Sequence, residues 1–171
     1  MPICVDNRKN MSQANPYASF VAADDPLAII RSTPSWLTSL ITGLTPEQQK
    51  TQPAPGKWST RDIICHLADT EIGFGFRLRQ ILAEPHHTIQ PFDQDRWSAP
   101  YHNFSAEEAL SAFSALRNWN VHLIERLPKE SFAKPATHPE RGDLTFGTIV
   151  ETMAGHDRHH LRQIEKLVPP K

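Results

Sequence analysis

The spacing of the apolar residues is the feature that most constrains the fold of this 171-residue chain. In four long stretches the apolar residues recur every three to four positions, which is typical of α-helices with one buried face. No stretch of the sequence shows the alternation of apolar and polar residues that predicts a β-strand. The four stretches cover residues 25–44, 59–83, 105–127 and 145–168. This pattern predicts an all-α fold, and specifically a four-helix bundle with long connections.

Local signals indicate where these helices begin and where one of them is disturbed. Two helices begin with the spacing of a capping box, Ser59 with Asp62 and Ser105 with Glu108. Pro34 lies inside the first stretch and is expected to kink or split that helix.

The chain is expected to hold one folded domain with short extensions. We predict an N-terminal arm over residues 1–24, the bundle domain over residues 25–168 and a C-terminal tail over residues 169–171. The connections at 84–104 and 128–144 are rich in proline and are predicted to be loops.

The composition excludes several classes of partner. The 18 basic residues balance 19 acidic ones, and no basic stripe or nucleic-acid motif is present, so we expect no nucleic-acid partner. No apolar run approaches the roughly 18 residues that span a bilayer, so we expect no membrane association. The two cysteines, Cys4 and Cys65, are too few for a disulfide framework, and a cytoplasmic location is the expectation.

Two histidines lie in the middle of the apolar stripe of the last helix. When each residue is advanced by about 100°, His156 and His160 fall within about 20° of Ile149, which we take as the reference for that stripe. Burying two unpaired imidazoles is costly, whereas histidines at positions i and i+4 can both bind one divalent ion. The alternative is that they are hydrogen-bonded residues of the core.

His66 is the candidate for a third ligand. It lies on the edge of the apolar face of the second helix, which can face the last helix across a bundle. Three imidazoles would leave one coordination position open for water or substrate, as a catalytic metal requires. The remaining histidines are expected on the surface or in loops: His86, His87, His102, His122, His138 and His159.

Two segments of the chain resemble motifs of a known family. They are WSTRDIICHLADTE at 58–71 and GHDRHHLRQI at 155–164. In order and separation they resemble the DinB-like superfamily, and the chain is most similar to its YfiT-like metal-dependent hydrolases. The resemblance implies a four-helix bundle, often a homodimer, with a divalent metal ion held by His66, His156 and His160. Zinc or nickel is the expected ion.

The first functional hypothesis is metal-dependent hydrolysis of a small-molecule substrate. The ion would lower the pKa of its bound water toward about 7 and polarise a carbonyl. Asp157 and Glu71 are the candidate bases. The family often has glutamate where Asp157 stands, and Glu71 has the alternative role of a solvated surface carboxylate.

Two other classes of function remain open. Some DinB-like relatives use a low-molecular-weight thiol, so the chain could be a metal-dependent thiol S-transferase or a thiol-dependent isomerase. Arg77 or Arg96 would then hold an acidic thiol or its electrophile. The last alternative is a bundle that binds a metal or a small molecule without catalysis.

Further residues are candidates for the surroundings of the metal or for the pocket. Gln163 matches the family pattern one turn past His160, and Thr70 and Arg77 share the edge of the helix that carries His66. The segment PFDQDRWS, which contains Arg96 and Trp97, is expected to shape the mouth of the pocket. Cys65 is expected to be a buried, inert thiol.

Overall fold

The structure, a computed structural model, describes residues 15–168. Its helices are α1 (Ala18–Val21), α2 (Pro26–Ile41), α3 (Pro46–Lys50), α4 (Thr60–Ala83), α5 (Gln94–Ser98), α6 (Ala106–Glu125) and α7 (Phe146–Leu167). Short 3-10 helices lie at Tyr101–Asn103 and Lys129–Ala133, and the strands are β1 (His87–Thr88), β2 (Pro135–His138) and β3 (Gly142–Thr145). Within residues 15–168 no helix is both long and apolar enough to cross a bilayer.

The prediction of an all-α four-helix bundle is confirmed. The long helices α2 and α4 each pack against both α6 and α7. Residues 1–14 of the predicted arm, Cys4 included, and the predicted tail 169–171 lie outside the described residues, and the domain boundaries stay predictions.

The helix starts expected from capping boxes are confirmed. Ser59 Oγ accepts from the backbone N–H of Asp62, and the Asp62 carboxylate accepts from the N–H of Ser59 in return. Ser105 and Glu108 form the same reciprocal pair at the start of α6. These signals are local, because both partners lie within one helical turn of each other.

Pro34 does not split the first helix, and that part of the prediction is wrong. Helix α2 continues from Pro26 to Ile41 with Pro34 inside it. Because proline has no N–H, the carbonyl of Ile30 lacks its usual intrahelical donor. The guanidinium of Arg117 supplies one, since its Nη1 lies 3.0 Å from that oxygen. A side chain of another helix thus satisfies the acceptor that the proline leaves free.

The two predicted loops instead meet in a small sheet of order β1-β2-β3. Strand β1 runs parallel to β2 with His87 opposite Ala136, and β2 pairs antiparallel with β3. His87 and His138 are buried in strands of this sheet, so the prediction that they lie on the surface or in loops is wrong for these two residues. The sequence pattern missed the sheet because its strands are two to four residues long, which is too short for an alternation to be recognised.

A layer of buried polar residues crosses the middle of the bundle. One apolar cluster lies on one side of it, around Phe74 and Met153, and a second lies on the other side, around Leu67 and Leu161. Each long helix contributes to this polar layer where its apolar stripe is interrupted. Its buried members are Thr33, His66, Thr70, Glu71, Arg117, Asn120, His156, Asp157 and His160.

The first described residues pack directly on the last helix. Helix α1 contacts α7, and the chain at Tyr17 passes over Gly155. A Cβ atom at Gly155 would lie 2.4 Å from the backbone oxygen of Tyr17 and 2.7 Å from its Cβ. Glycine at 155 therefore allows the segment 15–21 to lie against the polar layer.

Replacing Gly155 by alanine is expected to displace this segment, and the overpacking costs about 1–3 kcal/mol. Alanine gains roughly 1 kcal/mol over glycine in a helix, so the protein is destabilised by up to about 2 kcal/mol net. Urea unfolding and hydrogen exchange of the amides in α1 would measure both effects. Gly73→Ala is the matched control, since its Cβ would meet Phe92 at an ordinary 3.4 Å. Equal stability and equal exchange in the two variants would contradict the prediction.

Candidate metal centre

Three histidine side chains converge in the polar layer. His66 projects from α4, and His156 and His160 project from successive turns of α7. His156 Nε2 lies 3.0 Å from His66 Nε2 and 3.1 Å from His160 Nε2. Ligand atoms about 2.05 Å from one tetrahedral ion are about 3.3 Å apart, so these spacings fit a shared ion after a small outward shift.

The histidine cluster has the chemistry of an open metal site. Among residues 15–168, no fourth histidine, cysteine or acidic side chain joins the three nitrogen atoms. Three imidazoles with a free coordination position are typical of catalytic rather than structural zinc sites. The residues present therefore fit a divalent ion.

Burial keeps the three imidazoles neutral, which is the form that binds metal. Burial lowers the pKa of His66 to about 4 and, together with the charge of His66, the pKa of His160 to about 3. The pKa of His156 is lowered well below its usual range by burial and by the neighbouring His160.

Gln163 determines which nitrogen of His160 is free. Its Oε1 lies 2.8 Å from His160 Nδ1, and an amide oxygen can only accept, so Nδ1 carries the proton. The lone pair of Nε2 then faces the other two histidines, as a ligand requires. His156 Nδ1 is buried and has no hydrogen-bond partner among the described residues. Its environment is instead aromatic, with the Tyr17 ring 5.2 Å and the Phe74 ring 5.8 Å away.

Acid is expected to destabilise the metal-free protein through these histidines. Below about pH 6.5 the unfolded chain binds protons on them, whereas folded His66 stays neutral down to about pH 4 and folded His160 to about pH 3. Stability therefore falls as the pH falls through this window, by about 1–2 kcal/mol per histidine between pH 7 and pH 5. Urea unfolding at the two pH values measures the loss.

The variant His160→Gln should show a smaller loss between pH 7 and pH 5 than the wild type. His122→Gln, on the exposed face of α6, is the control and should behave as the wild type does. The carboxyl groups that also titrate are common to all three proteins, so the comparison isolates one imidazole. Identical losses in all three would show that His160 does not titrate as described.

Two cavities flank the histidine cluster. The arginine cavity, about 180 Å³, has His66, His156, Arg77 and Arg141 among its walls. The tryptophan cavity, about 480 Å³, is lined by Trp58 and Gln163 among others. The Trp58 ring lies 4.7 Å from the His66 ring and 6.3 Å from the His160 ring, so it covers the cluster on that side. Gln94 of α5 lines both cavities.

The structure separates the five residues proposed to surround the metal or the pocket. Gln163 contacts His160, while Thr70 lines the arginine cavity and donates to the backbone oxygen of His66 at 2.8 Å. Arg77 is half-buried in the same wall. Arg96 and Trp97 lie on α5 beside the cavities and not in their walls. Arg96 is exposed and pairs with Asp93 at 3.3 Å, and Trp97 stacks on Phe92 with the ring centres 4.5 Å apart.

The two candidate bases are both bound to one buried arginine. Arg117 Nη2 lies 2.8 Å from Glu71 Oε2, and the guanidinium also forms two hydrogen bonds with the Asp157 carboxylate. Asn120 donates to the other oxygen of Glu71, and Thr33 donates to Asp157. Burial alone would lower the pKa of Arg117, but the charges of Asp157 and Glu71 raise it. The alternative that Glu71 is a solvated surface carboxylate is wrong, since it is 1% exposed.

Cys65 is buried, as expected, and faces away from the histidines. It lies on the wall of a third, mainly apolar cavity with Asp69 and Tyr101. Burial, with the charge of Asp62, raises the pKa of the thiol to about 12. A thiol this weakly acidic supplies almost no thiolate near neutral pH.

Three residues of the site were not found from the sequence. Trp58 is only the first letter of the motif WSTRDIICHLADTE, and Tyr17 lies in the predicted N-terminal arm. Arg141 lay in a predicted loop. A local signal could have pointed only to Trp58, which precedes a capping box that leads to His66. Tyr17 and Arg141 reach the site through tertiary packing alone.

The sequence matches the profile of a known protein family. The profile of the DinB superfamily matches residues 30–164. The chain belongs to the DinB superfamily. This confirms the family proposed from the two histidine motifs.

Relatives within the DinB superfamily cover most of the chain. A protein of Oceanobacillus iheyensis named "putative metal-dependent hydrolase" is 31% identical over 143 residues, which is 83% of each chain. A Bacillus cereus protein of the same name is 28% identical over 139 residues, or 81% of this chain and 80% of that one.

A solved structure shares the fold of this chain. YfiT from Bacillus subtilis, described as "a probable metal-dependent hydrolase with an unusual four-helix bundle topology", superposes with a TM-score of 0.77. The match covers 98% of this chain and 90% of YfiT at 19% identity. This likeness supports the bundle topology of the DinB-family chain.

Proposed function

We propose that this DinB-family protein is a metal-dependent hydrolase of a small-molecule substrate, with one divalent ion, zinc or nickel, held by His66, His156 and His160. The observation that carries the proposal is the convergence of three neutral imidazole nitrogens, with no fourth protein ligand among residues 15–168. A divalent ion held there would lower the pKa of a bound water toward about 7 and polarise a substrate carbonyl. The names of the relatives from Oceanobacillus iheyensis and Bacillus cereus support the same reaction class.

The surrounding residues position the ligands and exclude water. Gln163 holds the proton of His160 on Nδ1, so that Nε2 stays available. Trp58 and Phe74 place apolar rings against the cluster, which removes solvent from two of its sides. In a site of low polarity, the interaction of the ligands with a charged group is stronger than in water.

We assign positioning roles to Asp157 and Glu71 in place of the base roles considered from the sequence. Their carboxylate oxygens accept hydrogen bonds from Arg117, Asn120 and Thr33. A carboxylate that gave up Arg117 in order to take a proton would leave the buried cation with only one of its two carboxylate partners, which is costly. Asp157 directly follows His156 in α7, and Glu71 follows His66 in α4 by a little more than one helical turn. The network of these carboxylates with Arg117 therefore holds the two helices in register.

Thiol transfer is the second candidate, and the paired cavities favour it. A hydrolase needs one organic substrate, whereas a transferase must bind a thiol and an electrophile at once. The arginine and tryptophan cavities lie on two sides of the cluster and share Gln94 as a wall residue. A low-molecular-weight thiol in the arginine cavity would contact His66 and His156, with its electrophile in the tryptophan cavity beside Trp58 and Gln163.

The two candidates differ in whether a thiol is required. We would load the purified protein with zinc or with nickel and measure release of 4-nitrophenol from 4-nitrophenyl acetate and 4-nitrophenyl butyrate. The same preparations would then receive 1-chloro-2,4-dinitrobenzene with and without cysteine. Hydrolysis without thiol, about tenfold or more above the chelated protein, is the expected result.

Conjugation that requires both metal and thiol, with no ester hydrolysis, would replace the hydrolase proposal by the transferase. Metal-loaded protein that catalyses neither reaction above its chelated form would count against both. A protein that binds no ion at all would remove the basis of either reaction.

A further inference from the structure

We propose that the arginine cavity binds an anionic group of the substrate, a carboxylate or a phosphate, between Arg77 and Arg141. The substrate is then a molecule with a reactive centre at the histidine cluster and an acidic group beside it. The assignment of that molecule as a substrate rests on the proposed function, whereas binding of the anion itself does not.

The two arginines come from distant parts of the chain and share one cavity. Arg77 lies on α4, and Arg141 lies in the connection between β2 and β3. His66 and His156 line the same cavity of about 180 Å³. A group of a few heavy atoms in this space is therefore next to the ligands of the proposed ion.

Neither arginine has a carboxylate partner in the part of the chain that the structure describes. Within residues 15–168, no carboxylate oxygen lies within 4.0 Å of the side-chain nitrogens of Arg77 or Arg141. Arg77 is held by a long contact of 3.4 Å to the backbone oxygen of Gln90 and by the Phe92 ring, 5.5 Å away. Glu140 also lines the cavity, but its side chain is exposed and the charge of the walls stays positive.

The positive charges of Arg77 and Arg141 shift the pKa values of ionisable groups in the cavity. Burial and the charge of Arg141 lower the pKa of Arg77, although a guanidinium stays protonated near neutral pH. Burial and the charges of Arg141 and Arg77 also lower the pKa of His138 in the same wall. An anion between the guanidiniums would relieve this repulsion and accept hydrogen bonds from both, the arrangement for which arginine is suited.

Two further residues in the cavity wall, His138 and Tyr17, offer hydrogen-bond donors. His138 Nδ1 accepts from the backbone N–H of Glu140 at 3.2 Å, so neutral His138 carries its proton on Nε2. Burial raises the pKa of the Tyr17 phenol, although the charge of Arg141 lowers it, so Tyr17 keeps its hydroxyl proton. Both residues line the cavity, and both are donors of the kind that a carboxylate or phosphate binds.

The direct test measures anion binding without the metal. Full-length protein is stripped with a chelator and titrated calorimetrically with inorganic phosphate and, separately, with succinate. Wild type should bind at least one of them saturably. Arg77→Gln and Arg141→Gln should each weaken that binding by about tenfold or more, the usual effect of losing a charge-assisted hydrogen bond.

The control is Arg126→Gln, which removes the same charge from an exposed position at the end of α6. Its affinity for the anions should equal that of the wild type. Arg141 lies in a turn at the surface of the sheet, so Arg141→Gln tests the proposal even if Arg77→Gln does not fold. Equal affinities in wild type, Arg141→Gln and Arg126→Gln, or no saturable binding of either anion by the wild type, would overturn the proposal.

A second titration separates this proposal from the proposed function. Zinc-loaded protein is titrated with acetohydroxamate and with succinic acid monohydroxamate, which carries an added carboxylate. Tighter binding of the carboxylate form, lost in Arg141→Gln, is expected. Equal binding of the two probes by the wild type would contradict the anion site alone. No zinc in the protein, with phosphate or succinate still bound at the arginines, would contradict the metal proposal alone.

Discussion

Replacing His156 and His160 together by alanine is expected to reduce the metal content from about one divalent ion per chain to nearly none. The two imidazoles supply two of the three nitrogens that converge, and His66 alone is too weak a ligand to retain an ion. Any metal-dependent turnover should disappear with the ion. Elemental mass spectrometry of untagged wild type and double variant, both dialysed against zinc and nickel, measures the change directly.

His159→Ala is the matched control for this experiment. His159 lies between the two proposed ligands in α7 but does not belong to the cluster, and its Nε2 contacts Gln163 at 3.1 Å. The His159→Ala variant should keep its metal. The variant His160→Gln, which retains a polar side chain of similar size, covers the case in which the double variant folds poorly, and circular dichroism checks the helices in each. Metal that stays bound in folded double variant would show that the ion lies elsewhere.

Replacing Arg117 by alanine is expected to destabilise the protein by about 3–5 kcal/mol. The change leaves Glu71 and Asp157 buried without their cation, and it also removes the donor to the carbonyl of Ile30 in the helix that contains Pro34. Arg117 is 1% exposed, so water does not replace the lost contacts. Urea unfolding measures the loss, which is large against the 5–15 kcal/mol of a typical domain.

Two comparisons show whether the loss comes from the unpaired buried charges. Arg126→Ala removes an exposed guanidinium and should change stability by no more than about 0.5 kcal/mol. The triple variant Arg117→Met, Glu71→Gln, Asp157→Asn removes all three charges together and should be more stable than Arg117→Ala. A loss below about 1 kcal/mol in Arg117→Ala, or a triple variant no more stable than it, would be inconsistent with this explanation.

Helix positions and the proposed ligands could be predicted because both depend on local geometry. Ser59 and Ser105 begin their helices through residues three positions away. His156 and His160 share a face because a helix repeats every 3.6 residues, whatever surrounds it. His66 was chosen by the same argument, supported by family resemblance. In the structure, the Nε2 atoms of His66 and His156 lie 3.0 Å apart.

The environment of the acidic residues could not be predicted in this way. Whether Glu71 is solvated or paired depends on Arg117, which follows it by 46 positions and belongs to another helix. The same holds for Pro34, whose effect on α2 depends on the donor that Arg117 brings to Ile30. A sequence pattern contains the period of each helix but not the identity of its neighbours.

The sequence by itself therefore determined the four helices, their caps, the family and the face that carries the histidine motif. Only the tertiary structure decided that Asp157 and Glu71 belong to an ion-pair network, that Tyr17 lies against His156, and that Arg141 lines the same cavity as Arg77. The reason is physical. Helix formation and capping follow from interactions within a few residues, whereas burial, charge pairing and cavity walls are created when segments far apart in the chain pack together.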